Sequence, residues 1–142
     1  MDYRSQSNVS FPQPSPEALK RIITDDSAAE ELVKCAKEIG EWLAKPLATS
    51  QIRAIYGEVM RIKPYWLFSG DEGKKQQAKR RLLLLRPKMA YRAKRESSEA
   101  VRRLVDVLDP AVVLVNGSEE NFRRFTEFFE AILAYHKAAG GK

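Results

Sequence analysis

The residues able to do chemistry are few in type and uneven in place. The 142-residue chain has one histidine, His136, and one cysteine, Cys35. One of each excludes an internal disulfide framework, a thiolate cluster and a multi-histidine metal site. The acid pairs Asp25-Asp26, Glu30-Glu31 and Glu119-Glu120 each fall at a predicted helix start, where carboxylates favour the helix dipole. They are not the convergent set a two-metal nuclease needs. No P-loop, GxGxxG or HExxH pattern occurs. His136 is expected to meet the last carbonyls of a C-terminal helix, and Cys35 to fill an apolar stripe. The chain therefore reads as non-enzymatic, with no cofactor and no metal.

The basic residues are the informative set. Lys and Arg number 25 against 19 Asp and Glu, a net charge of +6. Residues 73–103 alone carry 12 basic and 2 acidic groups, and the segments on either side are each net −2. So concentrated a block points to a polyanion, above all a nucleic acid. On a helix, Lys75, Lys79 and Arg86 fall on one face, and Lys88, Arg92 and Arg95 repeat the spacing further on. Arg53, Gly57 and Arg61 form a second stripe, four apart. A helix start at Ser50 would add free N–H groups and a hydroxyl close to Arg53. Tyr91, between Lys88 and Arg92, could stack on bases. Such a surface meets phosphates and 2′-hydroxyls and reads shape, not sequence.

The elements that position these residues read as helices throughout. Residues 1–14, rich in Ser, Gln, Asn and Pro, are expected to be a flexible arm, with residues 15–142 one helical domain. Ser15-Pro16-Glu17 starts a helix, Ser27 with Glu30 reads as a capping box, and Ser50, Asp71, Ser97 or Ser98, and Ser118 read as further caps. Pro64 should close one helix, Pro87 break or kink another, and Asp109-Pro110 interrupt a third. The segment 65–70 then becomes an aromatic loop. Leu82 to Leu85 are expected to bury the basic helix on its other sides. Apolar stripes such as Leu32, Cys35, Ala36, Ile39, Trp42 and Leu43 have helical spacing, and no alternation supports a strand. The expected fold is all-α, a compact bundle of five or six helices. No apolar run exceeds five residues and no leader opens the chain, so the expected compartment is the cytoplasm, without membrane contact.

Three segments carry a resemblance. They are Leu47-Ala48-Thr49-Ser50-Gln51-Ile52-Arg53 with Tyr56 and Val59, Leu84-Leu85-Arg86-Pro87-Lys88-Met89-Ala90-Tyr91, and Phe122-Arg123-Arg124-Phe125 running on to Phe128 and Lys137. In this order the chain resembles the small subunit of the type III-A CRISPR–Csm interference complex over residues 46–138. Ala48 replaces a threonine usual in that family, and Met89 a leucine. The resemblance implies a non-catalytic helical subunit of an antiviral ribonucleoprotein. Its implied partners are guide and target RNA, the backbone and large subunits, and neighbouring copies of itself. It implies that Arg53 and Lys88 lie near RNA, while RNA and DNA cutting belong to other subunits. The alternatives are a helical adaptor that docks an acidic protein partner, and a helix-turn-helix DNA binder. The latter lacks a short glycine turn around the basic segment.

Overall fold

Ser15 accepts a hydrogen bond from the Ala18 N–H at 3.0 Å, and Pro16 takes the first helical position. The computed structural model describes residues 10–142, and there the chain forms six α-helices and no strand. They are α1 (Pro16–Thr24), α2 (Ala29–Leu43), α3 (Thr49–Leu67), α4 (Glu72–Glu96), α5 (Glu99–Val115) and α6 (Glu119–Ala138). A 3₁₀ turn, Asp26–Ala28, joins α1 to α2. The all-α expectation holds.

The core is built around α6. Phe122, Phe125, Phe128, Phe129 and Ile132 are fully buried, and α1, α2, α3 and α5 all pack against this helix. Glycine is required where α2 crosses it. A Cβ at Gly40 would stand 2.7 Å from the Ile132 carbonyl and 2.8 Å from the Tyr135 Cβ. The basic helix α4 packs instead on α3 and α5, through Ala78, Leu82, Leu85 and Met89. It stands at the edge of the bundle.

Asp71, Ser98 and Ser118 cap α4, α5 and α6 as expected, each side chain accepting from a backbone N–H of its first turn. Two expected caps are corrected. Asp25 caps the 3₁₀ turn through the Ser27 N–H (2.9 Å), so Ser27 lies inside that turn and α2 begins without a side-chain cap. At α3 the capping residue is Ala48, whose N–H donates to Gln51 Oε1 at 3.1 Å, and Ser50 lies within the helix.

The prolines do not break helices here. Pro64, Pro87 and Pro110 lie inside α3, α4 and α5. Each helix continues because the turns beyond its proline bury apolar groups. Trp66 is buried past Pro64, Met89 past Pro87, and Ala111, Val112 and Val115 past Pro110. The expected aromatic loop therefore shrinks. Trp66 stacks on Phe122 in the core (4.5 Å between centroids), while Tyr65 and Phe68 stay exposed. Leu82 and Leu85 are buried, but Leu83 and Leu84 are not, since four consecutive residues span all sides of a helix.

Residues 1–9, most of the expected arm, lie outside the described residues. From Phe11 to Pro14 the chain lies on the bundle. Phe11 is buried edge-on against Trp42, with the Arg103 guanidinium 6.0 Å from its ring centroid. Gln13 Nε2 donates to the Asp106 carbonyl at 3.2 Å, the acceptor that Pro110 leaves without its helical N–H. His136 meets a carbonyl of another segment, not of its own helix. Its Nε2 lies 2.6 Å from the Leu47 oxygen, beneath Gly141.

Candidate nucleic-acid interface

The buried stripe of α4 separates its cations into two flanks. On one flank Arg86 grips Asp109 of α5 with two hydrogen bonds, 2.8 and 3.2 Å, and Lys75 Nζ lies 3.3 Å from Glu119 of α6. Asp109 pushes Arg86 above its ordinary pKa, through the hydrogen bond and then its charge. Lys79, half-buried, stands near this flank without an ion pair among the described residues. Lys75 and Arg86 thus face other helices of the bundle.

The other flank faces α3 across an open groove of about 280 Å³, lined by Lys88, Tyr91, Arg92 and Arg95 of α4 and by Ala54 and Glu58 of α3. The helices run antiparallel here, since Glu58 meets Lys88 and Gln51 meets Glu96. Two carboxylates sit low between the cations, each serving more than one. Glu58 lies 2.8 Å from Arg61 Nη1 and 3.8 Å from Lys88 Nζ. Glu96, whose side chain is 16% exposed, lies 2.9 Å from Arg92 and 3.6 Å from Arg95, and accepts from Gln51 Nε2 at 2.8 Å. Arg53 stands exposed on the outer side of α3 and has no ion pair among the described residues. Beside it Gly57 opens on empty space, with nothing within 4 Å of where a Cβ would stand.

The count around this groove is therefore four cations, Arg61, Lys88, Arg92 and Arg95, against two carboxylates, a surplus of two. The acids hold the guanidinium and ammonium groups in place without neutralising them. Tyr91 is 65% exposed, and the Arg95 guanidinium lies 5.6 Å from its ring centroid. Five of the nine expected residues, Arg61, Lys88, Tyr91, Arg92 and Arg95, thus meet at this groove, through its lining or through Glu58; Arg53 is exposed elsewhere on α3, and Lys75, Lys79 and Arg86 stand apart. Sequence reasoning missed Glu58, Glu96 and Gln51. The i,i+3 spacing of Glu58 to Arg61 and the i,i+4 spacing of Arg92 to Glu96 were visible signals, but the crossing to Lys88 was not.

Arg123 and Arg124, within the third resembling segment, have other duties. Buried Arg124 donates to the Ile23 carbonyl and to Asn121 Oδ1, both at 2.8 Å, and pairs with Asp26, tying α6 to the end of α1. Arg123 is held by Glu120, Glu127 and Asp26. Cys35 is half-buried, and burial pushes its thiol up to about 11. Among the described residues no cluster of His, Cys, Asp and Glu could hold a metal ion, and no helix is long and apolar enough to cross a membrane.

These features define a small all-α protein whose longest helix shows a surplus of cations at the edge of the bundle. The family model described as Csm2 Type III-A matches residues 26–142, and the chain belongs to that family, the small subunit of the type III-A Csm complex. No curated protein and no solved structure matches it.

Proposed function

We propose that the chain is a non-catalytic, RNA-binding subunit that holds guide and target RNA along the Csm filament in antiviral defence, in the cytoplasm. The observation that carries this reading is the charge surplus of the α3/α4 groove, where two shared carboxylates orient four cations, with Arg53 exposed and unpaired among the described residues further along α3. A subunit that must accept any guide sequence gains its affinity from contacts to the RNA backbone. Arg53, Arg61, Lys88, Arg92 and Arg95 are the phosphate ligands in this reading. The decisive experiment is target-RNA binding by the assembled complex carrying Arg53→Ala with Lys88→Ala. Weaker, less salt-dependent binding with an intact helical spectrum is expected, and unchanged affinity would sink the assignment. A protein contact is the second reading for a neighbouring surface. Leu83, 57% exposed beside α5, and Leu84, 46% exposed beside α3, favour docking of a backbone subunit, the large subunit or another copy on α4.

A further inference from the structure

The α3/α4 groove contains more than phosphate contacts use. Its floor is apolar, made by Ala54, Ile55, Leu85 and Met89. Its rim carries the exposed Tyr91 ring, which no core requires. Glu58 lies within it, and its two oxygens differ. Oε2 accepts from Arg61 Nη1 at 2.8 Å. Oε1 faces the Lys88 ammonium at 3.8 Å, beyond hydrogen-bond length, and accepts no hydrogen bond among the described residues. A pure backbone cradle would need neither the apolar floor nor a carboxylate with a spare lone pair.

We propose that this groove takes one unstacked nucleobase of a single-stranded RNA. Tyr91 is the stacking wall, and Glu58 Oε1 accepts an N–H from the base edge. The inference rests on the RNA-binding reading above and names the part of the ligand that enters. A flat heterocycle suits the apolar floor, and its flanking phosphates fall to Lys88, Arg92 and Arg95 around the same groove. A carboxylate accepts and cannot donate. Bases with an exocyclic amino group therefore fit, and uracil, with two carbonyls around its single imino N–H, fits poorly. A paired base has its edge occupied and its faces stacked, so duplex RNA is excluded from the slot.

The test uses the full chain at low salt and an oligouridine RNA with a single 2-aminopurine, free or annealed to its complement. The single strand is expected to lose 2-aminopurine fluorescence as the base stacks on Tyr91. Tyr91→Ala should abolish that quenching and weaken single-strand binding roughly five- to a hundredfold, the range of one base–aromatic stack. Tyr91→Phe should retain both, and duplex affinity should be unchanged in either variant. Glu58→Gln should erase the preference for the aminopurine strand over plain oligouridine. An unquenched probe with the wild-type chain overturns the slot, as does a Tyr91→Ala chain that binds like wild type or weakens equally on both RNAs. The RNA-binding reading has its own control in Lys88→Ala with Arg92→Ala. If that chain binds both RNAs as tightly as wild type, the reading fails. If it loses both while Tyr91→Ala changes nothing, only the slot fails.

Discussion

Arg124 illustrates how a residue's type understates its duty. It lies within a segment that resembles an RNA-binding family, yet its guanidinium is spent on Ile23, Asn121 and Asp26. Arg124→Ala should therefore cost about 2–3 kcal/mol of stability, the scale of lost charged hydrogen bonds, and leave RNA affinity per folded molecule unchanged. Urea unfolding and RNA titration of the same variant separate the two effects. Two carboxylates, Asp26 and Glu31, set an acid limit. The Arg21 hydrogen bond holds Glu31 below its ordinary value, and Arg124 does the same for Asp26. A depressed carboxylate stabilises the fold above its unfolded pKa, near 4, and that contribution is lost as pH falls through the lower folded value. The thermal midpoint should thus drop below about pH 4, and less steeply in Glu31→Gln, as calorimetry across pH would show. Of such contacts only the local ones were legible in the sequence. His136 could be marked as structural, but its partner Leu47 is 89 positions away, and no spacing rule reaches that far.

Helix caps and stripes could be read from sequence because they are local. Ser15, Asp71, Ser98 and Ser118 cap as their types require, and the phenylalanines of α6 fall on the buried side. The prolines could not be read, because breaking a helix depends on whether the next turn has something to bury. At Pro110 the missing N–H is put to use. The freed Asp106 carbonyl receives Gln13 and ties the N-terminal segment to α5. Gln13→Ala should cost about 1 kcal/mol, the net worth of one hydrogen bond. In a Pro110→Ala background the helix supplies its own donor to that carbonyl, so the Gln13 effect should shrink. A double-mutant cycle by urea denaturation measures the coupling, and strictly additive effects would show that the tie does not depend on the proline.

The charge block of residues 73–103 was visible in the sequence, but its division was not. On a helical wheel Lys75, Lys79 and Arg86 form one candidate face, and Lys88, Arg92 and Arg95 repeat the spacing as part of the same expected surface. The bundle turns Arg86 and Lys75 toward acids of α5 and α6 and sets the Lys88, Arg92 and Arg95 flank beside α3. Which acids meet which flank depends on which helices pack beside α4, a tertiary outcome with no local signature. The difference can be measured. Each phosphate contact to a single strand contributes about 0.7 to the log–log salt slope of binding. Lys88→Ala with Arg92→Ala should lower that slope by about 1.4 and weaken binding across all sequences alike. Lys75→Ala with Arg86→Ala removes the same formal charge from the same helix, so any effect of net charge alone would be equal in the two chains. It should lose stability through the broken Asp109 and Glu119 pairs, yet keep the wild-type slope. Equal slopes for the two double variants would mean that RNA sees the block as diffuse charge, and that the groove has no special standing.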